Sequence, residues 1–433
     1  MKALTKISIG FLALAAAALW FTSCSSEDVA SGTNQGKMSS LTLTINTGKS
    51  MGSRATDWTT TDPAGNENDI NRITVGIFSA DGNTLRTIVE LASGTGTDNT
   101  FKPETNGAST TIVTNSLTDG DLIKVAVNAP KGHFVGIKTA NDFMNKSEEA
   151  KDALLTKADD SKETTKEACN NNVPMYGEGT LTPKNSGDNS VFKAVSGGAD
   201  KVTVKHMLAK VTLESLKVDF KAGSAYANAE FTPVAAFLIN VPDKMDFTTA
   251  VWNSSAALLH GWSAYDTSDA TNCTFSYAAG NTGGSGTYAQ YLTTEGLTSA
   301  TALSGTATST AKAWFYTLPN NRVDDGAAVT NNTKLVIAGK FTENKSATSP
   351  KTEMVYYSLP INATYKASSH KYEKPTGGDG SVFQVCPNQN YKCSVVIRTK
   401  GSSTPNTNLT PQEAEIKVEV TNFVDVSQDA EFN

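Results

Sequence analysis

The sequence predicts an all-β protein with one small helical insertion. Threonine, serine, asparagine and glycine are abundant, and short runs of alternating apolar and polar residues recur between turn-rich gaps, which is typical of antiparallel sheets. Helical periodicity is scarce. With 433 residues the chain is too long for one small core, which predicts two domains or one large, elaborated domain; the boundary between two domains would lie near residues 213–216.

Strands are predicted wherever residues two apart share an apolar face, because such a segment buries one side and exposes the other. In the first half these segments are 41–45, 73–77, 87–91, 111–113, 122–127 and 202–213. In the second half they are 216–220, 234–240, 313–316, 335–337, 354–357, 391–397 and 416–426. Residues 140–158 place Phe143, Ala150, Leu154 and Leu155 near one face, which predicts a helix in a surface insertion. Residues 278–312 are rich in small residues and predict a long loop.

The first 24 residues have the pattern of a secretory leader. Lys2 and Lys6 precede an apolar run over residues 7–20, which is shorter than the roughly 20 residues needed to span a bilayer. The run closes on Thr-Ser-Cys24, the arrangement that lipoprotein signal peptidase reads, so Cys24 is predicted to carry lipid such as palmitate. An ordinary leader that contains a cysteine is the alternative.

The sequence offers no constellation for catalysis. The four histidines, His133, His206, His260 and His370, are dispersed without ligand spacing, and no hydrolase, phosphate-loop or calcium-loop motif occurs. We therefore expect no enzyme activity, no cofactor and no metal site. The net charge of −6 provides no basic footprint for nucleic acid. Cys386 and Cys393 are compatible with a disulfide and equally with two buried thiols.

Both ends of the chain carry an alternating strand. Leu41, Leu43 and Ile45 form one apolar face, and a small-residue linker over residues 48–53 leads to Arg54 and Ala55, a natural site for protease access. Near the other end, one face of a predicted strand is apolar and the chain continues apolar beyond a bend, at Ile416, Val418, Val420, Phe423, Val424 and Val426. Such a strand could fill a hydrophobic groove. Taken alone, Arg54 is most often a solvated loop residue, and the terminal strand an ordinary edge strand.

The aromatic strand residues are interpreted as core or sheet packing, with a glycan-binding surface as the alternative. They are Trp314, Phe315, Tyr316, Tyr356 and Tyr357.

These features together resemble the type V pilins of Bacteroidetes, the FimA-like major fimbrial subunits. The resemblance rests on Cys24, on residues 41–45 (Leu-Thr-Leu-Thr-Ile), and on Gly-Ser-Arg54-Ala55, which looks like the arginine processing site of that family. It extends over the strand segments 123–130, 208–213, 315–321, 390–397 and 418–423. Residues 25–28 (Ser-Ser-Glu-Asp) are similar to the signal that sends lipoproteins of that phylum to the outer face of the outer membrane.

The resemblance implies two transthyretin-like β-sandwich domains, 55–213 and 214–433, after a signal peptide (1–24) and a segment removed on maturation (25–54). An arginine-specific surface protease would cut between Arg54 and Ala55, the strand carrying Leu41, Leu43 and Ile45 would leave, and the donor strand within 412–433 of another copy would take its place.

The expected function is that of a stalk subunit of a cell-surface fimbria supporting adhesion. The expected partners are copies of itself, tip and anchor subunits, the protease, and the outer membrane through the lipid of the precursor. The alternative is a monomeric surface lipoprotein that binds glycan or another ligand.

Overall fold

The computed structural model describes residues 38–47, 67–94, 99–104, 107–162, 169, 171–248, 256–261, 289–295, 297, 301–309, 312–321, 331–362, 364–366, 371–373, 384–405, 407, 409 and 414–422. Residues Met38–Asn433 form one compact unit. The prediction of an all-β protein is confirmed, because nearly every regular element is a strand. The two transthyretin-like sandwich domains remain a prediction.

The first half of the chain forms one ten-stranded sheet. The elements in this half are β1 (Met38–Asn46), β2 (Arg72–Phe78), β3 (Leu85–Ser93), β4 (Thr100–Glu104), β5 (Gly107–Asn115), β6 (Leu122–Val127), α1 (Ala140–Met144), β7 (Ser147–Glu149), α2 (Ala150–Leu155), β8 (Met175–Pro183), β9 (Val191–Val195), β10 (Val202–Thr203) and β11 (Lys205–His206). All of these strands except β7 belong to the sheet.

This first sheet closes on itself. Its strands follow one another in the order β1, β5, β4, β3, β2, β6 and β8, and β9 pairs with both β8 and β1. β10 extends the pairing of β1, and β11 that of β8. The enclosed apolar residues form a core of their own, to which β1, β2 and β6 each contribute. A strand in such a closed sheet has neighbours on both edges.

The second half of the chain supplies the remaining sheets. Its elements are β12 (Ala209–Val218), β13 (Glu230–Pro242), β14 (Lys244–Asp246), β15 (Leu258–His260), a 3₁₀ turn (Gln290–Leu292), β16 (Thr293–Glu295), β17 (Leu303–Ser304), β18 (Thr308–Ser309), β19 (Ala313–Thr317), β20 (Lys334–Thr342), β21 (Thr352–Pro360), β22 (Thr364–Lys366), β23 (Lys371–Glu373), β24 (Gln389–Ile397) and β25 (Ala414–Asn422). One sheet has the order β18, β12, β24, β25, with β19 also on β12. A second has the order β15, β13, β20, β21, with β16 and β17 on β13.

The long helix predicted over residues 140–158 is wrong. Two short helices, α1 and α2, flank β7, which pairs with β14 about a hundred residues later in the chain. A main-chain hydrogen bond extends this pairing, since the Ala150 amide donates to the carbonyl of Asp243, the residue before β14, over 2.7 Å. Tertiary pairing therefore overrides local helix propensity here. The predicted apolar residues are buried in the large core, where Phe143 stacks on Phe134, rather than lying on a surface insertion.

Two further predictions need correction. The single strand predicted over residues 202–213 is divided into β10, β11 and the start of β12, because the chain passes there from the first sheet to the next. The loop predicted over residues 278–312 contains, in its described parts, the 3₁₀ turn and three short strands that pair with β13 or β12. The boundary predicted near residues 213–216 falls inside β12, while the change of sheet falls between His206 and Ala209. The domain division stays a prediction.

Candidate functional site

Strand β1 is an interior strand of the closed first sheet. Along one edge all nine of its residues pair antiparallel with β5. Along the other edge it pairs in parallel with β9 over residues 40–42 and with β10 over residues 45–46. Taking β1 away would therefore open a slot between β5 and the β9–β10 edge, with unpaired main-chain groups on both sides.

The side chains of β1 alternate strictly between the core and the opposite face. Leu41 and Leu43 are 0% exposed and Ile45 is 2% exposed, while Thr42 and Thr44 on the other face are half-buried. The three aliphatic side chains belong to the core that the first sheet encloses. At about 1.5–3 kcal/mol for each fully buried side chain, they contribute roughly 5–9 kcal/mol of burial. This face is the one that the sequence predicts for the displaced strand.

Both ends of β1 are fixed by main-chain hydrogen bonds. The Ser40 amide donates to the Ser190 carbonyl over 2.9 Å, and the Val204 amide donates to the Asn46 carbonyl over 2.9 Å. Beyond Thr47 the sequence leads to the predicted cleavage site, so the end of β1 at Asn46 is the end that the protease would free. Arg54 and Ala55 lie outside the described residues, as does Cys24.

The chain downstream of the predicted cut is anchored at Glu67. Its carboxylate accepts hydrogen bonds from Lys210 Nζ at 3.2 Å and from Tyr316 Oη at 2.5 Å. Its carbonyl accepts from His206 Nε2 at 2.8 Å. Lys210 and His206 are buried, and burial lowers the pKa of His206 below its ordinary value of 6.5. Because Lys210 and Tyr316 lie in β12 and β19, Glu67 ties the start of the described segment 67–94 to a sheet of the second half.

A second anchor follows at Asn128, which adopts a left-handed conformation with φ of 59°. Its side-chain amide donates to the carbonyls of Asp69, over 2.8 Å, and Val173, over 3.0 Å. Its side-chain oxygen accepts from the Asn71 amide over 2.9 Å. Residues 67–71 are therefore held at three points, independently of β1.

Strand β25 lies at the end of its sheet. It pairs antiparallel with β24 along its whole length, and it is the last strand in the order β18, β12, β24, β25. Ala414 is buried, and Ile416 is half-buried against the core. Val418 and Val420 stand opposite Cys393 and Tyr391 in the main-chain register. Phe423, Val424 and Val426 lie outside the described residues.

The predicted cysteine pair and the predicted aromatic residues lie in or beside the core. No disulfide joins Cys386 to Cys393, both of which are described, and burial raises the pKa of the Cys393 thiol. Cys393 is buried and Cys386 is half-buried, and the pairing of the two cysteines stays a prediction. The aromatic residues predicted as core are all buried: Trp314, Phe315, Tyr316, Tyr356 and Tyr357. Within the described ranges, no three acidic, histidine or cysteine side chains are grouped closely enough to hold a metal ion. Neither described helix is long and apolar enough to cross a membrane.

The sequence around the Asn128 anchor recurs in the second half of the chain, at Asn240. Asn128 follows a strand and stands two residues before Pro130, in the sequence Val-Asn-Ala-Pro. Asn240 stands two residues before Pro242 in Ile-Asn-Val-Pro, and it has φ of 60° and donates to the Asn332 carbonyl over 2.9 Å. The two halves of the chain therefore repeat an Asn-x-Pro sequence near the end of a strand. In both, the asparagine is left-handed and its side-chain amide donates to a distant carbonyl. Glu67 has no comparable signal, because its partners are more than a hundred residues away.

The fold resembles that of several solved bacterial proteins. A candidate cell adhesion protein from Parabacteroides distasonis is 17% identical with a TM-score of 0.56, and the match covers 90% of this chain and 100% of that one. A second, from Bacteroides eggerthii, is 19% identical with a TM-score of 0.53 over 91% and 98%. A fimbrilin (FimA) from Porphyromonas gingivalis is 15% identical with a TM-score of 0.54 over 91% and 99%. At these identities the likeness concerns the fold. The comparison with curated proteins finds no match.

The family match is more specific. Residues 39–214 match the model of the major fimbrial subunit protein, FimA. The matched segment runs from β1 into β12 and includes every strand of the first sheet. The resemblance identified from the sequence is confirmed by this match. The match supports the role of a fimbrial structural subunit.

Proposed function

We propose that this chain is a stalk subunit that polymerises by strand exchange after proteolysis. A cut between Arg54 and Ala55 releases the segment that contains β1, and β25 of a second copy enters the slot between β5 and the β9–β10 edge. The observation that carries the proposal is the position of β1, an interior strand that ends toward the predicted cut and has three almost fully buried side chains.

The position of β25 supports its role as the donor. A strand at the end of a sheet can leave by breaking the hydrogen bonds of one edge only, whereas an interior strand must break two ladders. β25 has nine residues, as does β1, and its sequence alternates in the same way, with Ile416, Val418 and Val420 on one side. Inserted in the slot, it restores a ladder on each edge and supplies three apolar side chains.

The assembly that follows is a filament. Each copy gives one strand and receives one, so the contact is heterologous and does not close. In this proposal Cys24 anchors the precursor to the outer membrane through its lipid, an arginine-specific protease cuts it at the surface, and tip and anchor subunits complete a fibre that supports adhesion. Each subunit consists of two transthyretin-like β-sandwich domains.

The test is cleavage of the purified chain without its leader by a trypsin-like, arginine-specific protease. N-terminal sequencing and denaturing gels without boiling are the readouts. We expect a new terminus at Ala55 and a ladder of oligomers. The ladder should be absent from Arg54→Ala, which keeps β1 tethered, and from a chain lacking residues 412–433, which is cut normally but has no donor.

A chain that stays monomeric after complete cleavage at Ala55 would contradict the polymer model. A ladder formed equally well by Arg54→Ala would contradict the role of the cut. In the first case, a monomeric surface lipoprotein that binds glycan or another ligand becomes the better account.

A further inference from the structure

Gly107 is the residue of β5 that faces the end of β1. It begins β5 and pairs with Asn46. A Cβ atom at Gly107 would stand 1.9 Å from the carbonyl oxygen of Ile45 and 2.9 Å from its carbonyl carbon. Both atoms belong to the main chain, so they cannot turn away as the end of a flexible side chain can. A side chain at position 107 is therefore incompatible with the observed position of β1.

The opposite wall of the slot is equally close at this end. Ile45 pairs with Val202 in β10, and the Val204 amide donates to the Asn46 carbonyl over 2.9 Å. The main chain at residues 45–46 is thus held between β5 on one side and β10 on the other. An occupant cannot move away from Gly107 without colliding with β10, and it cannot move closer to Gly107 without losing the hydrogen bond from the Val204 amide.

We propose that Gly107 is a specificity-determining residue of strand exchange, because only a residue without a side chain at this position lets the main chain of an occupant lie against β5 where Ile45 and Asn46 lie. This inference rests on the proposed function and concerns the same slot. The end of the slot nearest the predicted cut is then selective. A strand that is bulged or displaced at this end collides with β5 or β10, or it loses the hydrogen bond from the Val204 amide.

The register of the donor follows from the alternation of the two strands. β1 buries residues 41, 43 and 45, whereas the apolar residues of β25 are 416, 418 and 420. If β25 replaced β1 residue for residue, with Ala414 in the place of Met38, these apolar residues would point away from the core. A shift of one residue moves every side chain of a strand to the opposite face. The donor must therefore be offset by one residue. Running as β1 does, it places Val420 at the position of Ile45; running the opposite way, it places Ile416 there.

The test compares Gly107→Ala with Thr111→Ala, a control on the exposed side of the same strand. The full chain without its leader is cut, and fluorescent peptides corresponding to residues 37–47 and 412–426 are added in excess. Retention of each peptide on the monomer band is measured on native gels. We expect Gly107→Ala to lower the retention of both peptides at least tenfold and Thr111→Ala to leave it unchanged. A shortened peptide, residues 37–44, lacks the atoms that face Gly107 and should bind both proteins alike.

The outcomes separate the inference from the proposed function. If the cut wild-type chain retains neither peptide, strand exchange itself fails. If it retains both and Gly107→Ala retains them equally, strand exchange stands and the role of Gly107 is overturned.

Should Gly107→Ala not fold, as judged by urea denaturation before cleavage, the occupant is changed instead. A peptide of residues 37–47 that is α-methylated at position 46 should bind the wild-type chain at least tenfold more weakly than one α-methylated at position 38. Equal binding of these two peptides would overturn the inference.

Discussion

Replacing Leu43 by alanine should destabilise the precursor and leave the filament unaffected. Leu43 is 0% exposed at the centre of β1, inside the core of the first sheet. A fully buried Leu→Ala change costs about 3–5 kcal/mol through lost burial and the cavity that remains. A loss of about 3 kcal/mol shifts the unfolding equilibrium of the precursor on the order of a hundredfold. If β1 leaves on maturation, this loss disappears with it, because the filament no longer contains residue 43.

Ile77→Ala is the matched control. Ile77 lies in β2, is also 0% exposed and belongs to the same core, so its truncation costs a similar amount. Ile77 remains in the subunit after cleavage. The measurement is urea denaturation of the uncut chain, followed by the temperature at which the oligomer ladder of the cut chain dissociates on denaturing gels. Both variants should weaken the precursor, and only Ile77→Ala should weaken the ladder.

The result that refutes this reasoning is a ladder weakened as strongly by Leu43→Ala as by Ile77→Ala. It would mean that β1 stays in the assembled subunit and that the slot is never vacated. A precursor insensitive to Leu43→Ala would instead contradict the burial of β1.

Three further predictions concern buried charge. Lys210→Met should cost about 3 kcal/mol in urea denaturation because it leaves the Glu67 carboxylate without its cation, and the double variant with Glu67→Gln should recover most of that loss. Burial raises the pKa of Glu148, so the folded state holds its proton more tightly than the unfolded state, and stability should fall as pH rises above about 4.5; Glu148→Gln should flatten that limb of a denaturation-against-pH curve. Burial lowers the pKa of His260 to about 4, below its ordinary value of 6.5. The stability that the neutral imidazole contributes is therefore present above pH 6.5 and is lost as the pH falls toward 4, and His260→Asn should reduce this loss in a denaturation-against-pH curve.

Local patterns were sufficient for most strands. The segments 73–77, 122–127 and 391–397 alternate or run apolar between turn residues, and each is a strand in the structure. In these segments a few consecutive residues are enough to show which side chains are buried. The same holds for Leu41, Leu43 and Ile45, whose predicted shared face is the buried face of β1.

Long-range pairing explains what the local patterns missed. The region of α1, β7 and α2 reads as one helix because its apolar residues recur at helical spacing, and only the distant partner β14 divides it. The strand predicted over residues 202–213 reads as continuous because alternation does not reveal that its two ends belong to different sheets. The sequence around Gly107 does not reveal the close approach of Ile45, which is visible only when β1 and β5 are paired.

The same pairing explains why cleavage can matter although it removes no contact of β1. Before the cut, β1 is joined through residues 48–66 to Glu67, which Lys210, Tyr316 and His206 hold in place. A strand tethered to a fixed point rebinds its slot as an intramolecular ligand, at an effective concentration that reaches the millimolar range for a short tether. After the cut, the roughly 5–9 kcal/mol of side-chain burial still holds β1, but a strand that dissociates is diluted away.

A donor strand attached to a growing filament then competes with a free peptide rather than with a tethered one. In the proposed assembly the cut would change this competition without weakening the slot, and the Glu67 anchor would make this possible by keeping the downstream chain in place when β1 leaves. An interior strand held on two edges gives a slow release, and an edge strand held on one gives a ready donor. On this reasoning the direction of assembly is set by the loss of the tether, so a subunit in which β1 stays covalently linked should remain a monomer even with donor strand in excess.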